Sequence, residues 1–145
     1  MSGWLFDTSI LSALSPGRPA LSSETVRWFE ERNDNSFLPS ILVAETEGGI
    51  AKLRRLGASR RAAELAAWFD HVLQVYGDRI LSFDLAAAHV AAELSDVAEA
   101  IGRPPGFADV AIAAIAKSNE LVVLTANRRH FEPLGVDILN PLEIT

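Results

Sequence analysis

The sequence predicts an α/β fold in which a central parallel sheet is covered by helices on both faces. Short apolar runs, such as WLF before Asp7 and LVVL at residues 121–124, have the length and composition of buried strands. Longer segments between them carry the 3.6-residue apolar period of amphipathic helices, most clearly at residues 59–76. Strands and helices that alternate in this way form three layers with the sheet in the middle. The 145 residues, 49% of them apolar, suit one compact unit, so residues 1–145 are predicted to form a single domain.

Capping and turn residues separate the elements predicted in the first half of the chain. Ser22 or Ser23 supplies an N-cap for the second helix, and Pro39 suits the first turn of the third. Gly57 ends that third helix. The predicted elements are a strand at 4–7, a short helix at 9–14, a helix at 22–32, a strand at 36–38, and helices at 40–56 and 59–76.

The second half of the chain continues the alternation. Asp84 is placed to cap a long alanine-rich helix, and the sequence GRPPG at residues 102–106 forms a loop before the next helix. The predicted elements are a strand at 79–83, helices at 84–101 and 108–117, and strands at 121–124 and 136–139.

Composition excludes several classes of protein. The absence of cysteine rules out disulfides, thiolate metal sites and a cysteine nucleophile. The formal net charge of -6 argues against a protein that coats nucleic acid through bulk positive charge, although nucleic acid can still be a substrate. No apolar run approaches the roughly 20 residues of a membrane span, and the N-terminus lacks the pattern of a signal peptide. A cytoplasmic location without membrane contact is expected.

Three acidic residues stand out by their positions. Asp7 lies at the end of a predicted strand, and Asp109 lies in the first turn of an apolar, buried helix. Glu45 lies in a helix among small and apolar neighbours, so its carboxylate should face a cleft or a buried partner. Ligands of open parallel sheets bind outside the carboxyl ends of the strands, which is where Asp7 and the residues after the 121–124 strand fall.

Each acid also has a purely structural interpretation. Asp7 and Asp109 can stabilise helix N-termini, and Glu45 can pair with an arginine. Carboxylates that meet at one sheet edge, however, repel one another unless a divalent cation lies between them. Ligation by oxygen alone favours Mg²⁺ or Mn²⁺ over Zn²⁺.

Five short motifs occur in a defined order along nearly the whole chain. They are DTSIL at 7–11, the pattern of Ser40, Glu45 and Gly49, ADVAIAAIA at 108–116, LTANRRHF at 124–131 and ILNP at 138–141. Together they resemble those of PIN-domain ribonucleases, and most closely the VapC toxins of bacterial and archaeal toxin–antitoxin pairs. The resemblance implies a PIN-like three-layer α/β/α fold and a metal-dependent endoribonuclease that hydrolyses RNA phosphodiester bonds.

The resemblance also implies roles for individual residues. Asp7, Glu45 and Asp109 match the three catalytic acids of the family; Asp7 and Asp109 would hold the metal, and Glu45 would orient the attacking water or share the ion. Ser9 matches the small polar residue after the first acid, and Thr125 matches the hydroxyl at the end of the fourth strand.

The position of a fourth acid is occupied by Asn127. Because an amide oxygen binds a divalent cation more weakly than a carboxylate does, we expect one tightly held Mg²⁺, which Mn²⁺ can replace, and a second ion bound only with substrate.

Basic residues form two groups that would contact RNA. Arg54 and Arg55 belong to a cluster of five cations within residues 52–61, and Arg128 and Arg129 follow the predicted site. A solvated helix face explains such a run as well as phosphate contacts do; the functional interpretation predicts contacts that position RNA without choosing its sequence. His130 next to them either touches phosphate or belongs to a solvated patch.

Large apolar side chains on two early helices bear on the protein's partners. They are Trp28, Phe29, Leu65, Trp68, Phe69 and Leu73. Most are expected in the core, but part of the set can seat the helix of a VapB-like antitoxin, as the family resemblance implies. The resemblance further implies a homodimer and a hetero-oligomer with the antitoxin.

Other functions fit the sequence less well. A haloacid-dehalogenase phosphatase needs a second aspartate where Ser9 stands, and no Gly-rich phosphate loop is present. The alternative that stays open is a catalytically silent PIN-like binding module.

Overall fold

The computed structural model describes residues 3–144 and contains one sheet of five parallel strands. The strands are β1 (Gly3–Phe6), β2 (Ser36–Pro39), β3 (Ile80–Leu81), β4 (Leu121–Leu124) and β5 (Ile138–Leu139). They lie in the order β3-β2-β1-β4-β5, so β1 is central and β4 is its neighbour. The backbone N–H of Asp7 donates to the carbonyl of Leu124 (2.8 Å), which extends this pairing one residue past the end of β1.

Helices connect the strands and cover the sheet. Within residues 3–144 they are α1 (Thr8–Ala13), α2 (Ser23–Glu31), α3 (Ser40–Arg55), α4 (Ser59–Tyr76), α5 (Leu85–Ala100), α6 (Phe107–Ser118) and α7 (Arg128–Phe131). Two predicted caps are confirmed. The Ser22 side chain accepts a hydrogen bond from the N–H of Thr25, and the Asp84 side chain accepts one from the N–H of Ala87.

Two separate hydrophobic clusters fill the space on the two faces of the sheet. Because successive strand residues point to opposite faces, Leu5 and Val123 pack into the cluster formed with α5 and α6. Their neighbours Phe6 and Leu124 pack into the cluster formed with α1, α3 and α4. The predicted three-layer α/β/α fold with a central parallel sheet is therefore confirmed.

Several boundaries differ from the predicted ones. The strand predicted at 79–83 is only Ile80–Leu81, and the one predicted at 136–139 is only Ile138–Leu139. Sequence analysis missed α7, because four residues are too few to display a helical period. No helix in the part of the chain that the structure describes is long and apolar enough to cross a membrane.

Candidate active site

Asp7 is a buried carboxylate held by two hydroxyl groups. It is the first residue after β1 and is 4% exposed. Although it occupies the N-cap position of α1, its side chain makes no capping hydrogen bond. Its Oδ2 instead accepts hydrogen bonds from Ser9 Oγ and Thr125 Oγ1, both at 2.7 Å. The structural interpretation of Asp7 as a helix cap is therefore wrong.

The backbone orients both hydroxyl groups. Ser9 Oγ accepts a hydrogen bond from the N–H of Ala126 (3.1 Å), and Thr125 Oγ1 accepts one from the N–H of Asn127 (2.9 Å). A hydroxyl that accepts from an N–H has its own hydrogen free to point at the carboxylate. This network joins the ends of β1 and β4 and fixes the rotamer of Asp7.

The second oxygen of Asp7 is left available to a ligand. Among the hydrogen bonds of residues 3–144, none involves Oδ1. Every buried side-chain nitrogen and oxygen atom in that range has a partner, so Oδ1, which has none, keeps some solvent-accessible surface.

Asp109 lies in the first turn of α6, and its side chain is 23% exposed. Burial raises the pKa of Asp109, and the negative charges of Asp7 and Glu45 raise it further, whereas nearby His130 acts in the opposite direction. His130 Nδ1 lies 3.3 Å from Asp109 Oδ2. Because the charges of Asp7 and Glu45 both raise the pKa of Asp109, the three carboxylates contribute to one region of negative potential.

Glu45 faces a cleft, which is one of the two environments predicted for it. Its Oε1 accepts a hydrogen bond from Thr8 Oγ1, and the residue is exposed. The cleft, of about 250 Å³, lies between α1, α3 and α4, and Leu65 and Trp68 also line it. No arginine pairs with Glu45 within residues 3–144, so its interpretation as a structural ion-pair partner is wrong.

The oxygen donors at this site suit a hard divalent cation. The carboxylates of Asp7 and Asp109 are oxygen ligands of the kind that Mg²⁺ and Mn²⁺ prefer. In the described range 3–144, no three His, Cys, Asp or Glu side chains are close enough to hold one ion together. Asp7 and Asp109 are candidate direct ligands, and Glu45 accepts the hydrogen bond from Thr8.

The other residues predicted for the site include Asn127 and the two arginines that follow it. Asn127 is the N-cap residue of α7 and is exposed; only its backbone joins the network. Arg128 lies 3.9 Å from Glu143. Arg129 lines a cleft together with Asp109 and His130.

The structure does not bring Arg54 to the three acids. Arg54 follows Glu45 by nine residues, about half a turn around the helix at roughly 100° per residue. It lines a separate cavity with Glu47 and Asp70. Arg55 is exposed at the last position of α3. The helical period alone signals this separation of Arg54 from Glu45.

Sequence reasoning missed two polar contacts of the site. Thr8 follows Asp7 directly, but nothing in its neighbourhood predicts a bond to Glu45, 37 residues away. Arg103 belongs to a loop without periodicity, and it reaches the site region only because that loop packs on α7.

Comparison with known proteins agrees with the fold. The model of the PIN domain family matches residues 4–135. The chain therefore belongs to the PIN domain family.

Toxins and plasmid-stability proteins are among its relatives. Plasmid stability protein StbB of Pseudomonas syringae pv. tomato is 32% identical over 143 residues, covering 96% of this chain and 98% of StbB. VapC ribonuclease Y4jK of Sinorhizobium fredii is 31% identical, covering 96% and 97%. Toxin FitB of Neisseria gonorrhoeae is 30% identical, covering 94% and 96%. The resemblance to VapC-type toxins is thereby confirmed.

Solved structures give the same result. The crystal structure of FitAcB from N. gonorrhoeae superposes with a TM-score of 0.83 at 29% identity, covering 97% of this chain and 99% of that one. A structure of FitAB bound to a DNA fragment superposes with a TM-score of 0.76 at 28% identity, covering 98% and 97%.

Proposed function

We propose that this protein is a Mg²⁺- or Mn²⁺-dependent endoribonuclease and the toxin of a type II toxin–antitoxin pair. The observation that carries the proposal is the pair Asp7 and Asp109. One carboxylate is buried and oriented by two hydroxyl groups, and the pKa of the other is raised by burial and by its acidic neighbours. Holding unneutralised carboxylates together destabilises the protein, and a bound cation would relieve that repulsion.

Each residue of the site has a part in the proposed hydrolysis of an RNA phosphodiester. Asp7 and Asp109 would hold the cation, which supplies charge neutralisation at the phosphate and a water of lowered pKa. Ser9 and Thr125 keep the Asp7 carboxylate in one orientation. Glu45, held by Thr8, would orient the attacking water or share the ion. Asn127 would contribute to a second, weaker ion site.

A VapB-like antitoxin is the proposed protein partner. FitB and a VapC are relatives, and FitAB was solved as a complex. The cleft beside Glu45 exposes parts of Leu65 and Trp68, while Trp28, Phe29, Phe69 and Leu73 pack into the hydrophobic cluster below. This cleft is the proposed binding site of an antitoxin segment. Homodimerisation and a cytoplasmic location are also proposed.

The test compares wild type with Asp7→Asn on a pool of structured RNAs, in Mn²⁺, in Mg²⁺ and in EDTA, with the protein freed of co-purified partners. Asp96→Asn serves as a matched control, because Asp96 is exposed on α5 and its replacement makes the same change of charge. Cleavage that needs metal, survives in the control and is lost in Asp7→Asn supports the proposal. Absence of metal-dependent cleavage in wild type over the whole pool refutes it.

A catalytically silent PIN-like binding module is the second candidate. Asn127 in place of a fourth acid, and the lack of a three-residue metal cluster in the described part of the chain, favour it. Thermal unfolding separates the two candidates. A metal-binding site gains stability as RT ln(1 + [L]/Kd), whereas a silent module that has lost its metal shows no shift with Mn²⁺.

A further inference from the structure

A second cleft, of about 320 Å³, opens beside Asp109 between α7 and the loop that joins α5 to α6. The cleft at Glu45 also holds two arginines, but there Arg61 pairs with Glu64 and Arg18 donates to Ser12 Oγ. Residues from both rims line the cleft beside Asp109, among them Arg103, Pro104, Gly106, Asp109, Arg129 and His130. Two arginines therefore line the same cleft as one of the proposed metal ligands.

No carboxylate neutralises these two arginines. None of the ion pairs found between residues 3 and 144 includes Arg103 or Arg129, and both residues are exposed. Arg103 Nη2 donates to the backbone carbonyl of Arg129 at 3.5 Å, so the loop and α7 meet at this rim. Two arginines that line one cleft, in a protein of net charge -6, make that cleft a candidate local site for an anion. A guanidinium group suits phosphate in particular, because its donors match two phosphate oxygens.

The loop that carries Arg103 has restricted backbone dihedral angles. Pro104 and Pro105 follow Arg103 directly, and each proline ring fixes one backbone dihedral angle. A rim that is already restricted pays less conformational entropy when a ligand binds.

The site's position identifies which phosphate it would take. Asp109 lies in the cleft, so a strand whose scissile phosphate is at Asp7 and Asp109 would carry its neighbouring nucleotide towards Arg103 and Arg129. The route along α3 offers less, because Arg54 shares its cavity with Glu47 and Asp70.

We propose that this cleft is the subsite for the nucleotide adjacent to the scissile phosphodiester, with Arg103 and Arg129 contacting the adjacent phosphate. The subsite rests on the ribonuclease function proposed above. It extends the RNA contact predicted for Arg129 to Arg103 and does not use Arg54 and Arg55.

The test measures binding of a fluorescein-labelled single-stranded RNA of random sequence by anisotropy, in EDTA, over a range of salt concentrations. Without metal, the salt dependence reports contacts between cationic side chains and phosphate. Each phosphate neutralised on a single strand contributes a slope of about 0.7 in log K against log [salt], so Arg103→Ala/Arg129→Ala should lower the slope by roughly 0.7–1.4. Arg103→Lys/Arg129→Lys, which keeps the charge, should retain most of it.

Two further variants serve as comparisons. Arg27→Ala/Lys117→Ala removes the same charge at exposed positions on α2 and at the far end of α6, and the slope should not change. Arg54→Ala/Arg55→Ala tests the rival route along α3. A slope that falls only with Arg54→Ala/Arg55→Ala, or falls equally with Arg27→Ala/Lys117→Ala, overturns the subsite, as does a wild type that binds no RNA.

RNA cleavage in Mn²⁺, measured on the same proteins, tests the proposed ribonuclease function separately. Retained cleavage with an unchanged salt slope in Arg103→Ala/Arg129→Ala refutes the subsite alone. Absence of cleavage by wild type refutes the nuclease function, whatever the binding data show.

Discussion

Replacing Thr125 by valine removes the hydroxyl group that joins Asp7 to the chain after β4, while nearly preserving the shape of the side chain. Thr125 is 1% exposed; its Oγ1 donates to Asp7 Oδ2 and accepts from the N–H of Asn127. A hydrogen bond to an ionised group contributes about 1.5–3 kcal/mol to stability. Loss of the hydrogen bond from the N–H of Asn127 costs about 0.5–1.5 kcal/mol more. This cost is small because Asn127 is exposed and its N–H can donate to water instead. The free energy of unfolding should therefore fall by about 2–4.5 kcal/mol.

Thr125→Ser is the matched control, because it keeps the hydroxyl group and removes only a buried methyl. Loss of one methyl group costs about 0.8 kcal/mol, or somewhat more if a cavity stays open. Urea unfolding at neutral pH measures both variants, and Thr125→Val should be the less stable by at least about 1 kcal/mol.

The same pair of variants tests the role of Thr125 in metal binding. Removing a group that orients a metal ligand typically lowers metal affinity by about 10–100-fold. The thermal shift with Mn²⁺ should therefore be reduced in Thr125→Val and nearly retained in Thr125→Ser. Equal stability and equal Mn²⁺ shifts in the two variants would refute the idea that this hydroxyl group positions Asp7.

Three further outcomes are expected. Asp109→Asn should raise the melting temperature of the metal-free protein at pH 7, by about 2–4 °C for each kcal/mol gained, and should abolish the Mn²⁺ shift. Because the pKa of Asp109 is raised in the folded state, ionisation of this carboxyl lowers the stability of wild type as pH rises through that pKa. Calorimetry should therefore show that the gain in melting temperature from Asp109→Asn vanishes below about pH 4, where the carboxyl is protonated in both states. Thr8→Val should lower kcat for RNA cleavage and leave the urea midpoint nearly unchanged, because its bond to Glu45 is exposed; an unaltered kcat would contradict the positioning of Glu45 by Thr8. Ser9→Ala should weaken Mn²⁺ binding, measured by thermal shift, since Asp7 loses its second donor.

The sequence by itself determined the architecture and the positions of the acids along the chain. Apolar runs of four residues and helices with a 3.6-residue period lead to a parallel sheet in three layers, because both faces of such strands must be covered. Parallel strands end at a common edge, so Asp7 after β1 and Thr125 after β4 could be expected to meet. Residues on one helix are related by a fixed angle, which also separates Glu45 from Arg54.

Only the tertiary structure decided which polar groups contact one another across the chain. Hydrogen bonds join Thr8 to Glu45 and Arg103 to the carbonyl of Arg129, and His130 contacts Asp109; each joins residues from different elements. Such pairs depend on how loops and helices pack, and loops carry no periodic signal from which that packing can be read. The four-residue helix α7 also forms only in this context, because so short a helix is not stable on its own. The positions of the candidate acids could thus be predicted from the order of strands and helices, whereas the cleft lined by Arg103 and Arg129 emerged only from the packed loop and α7.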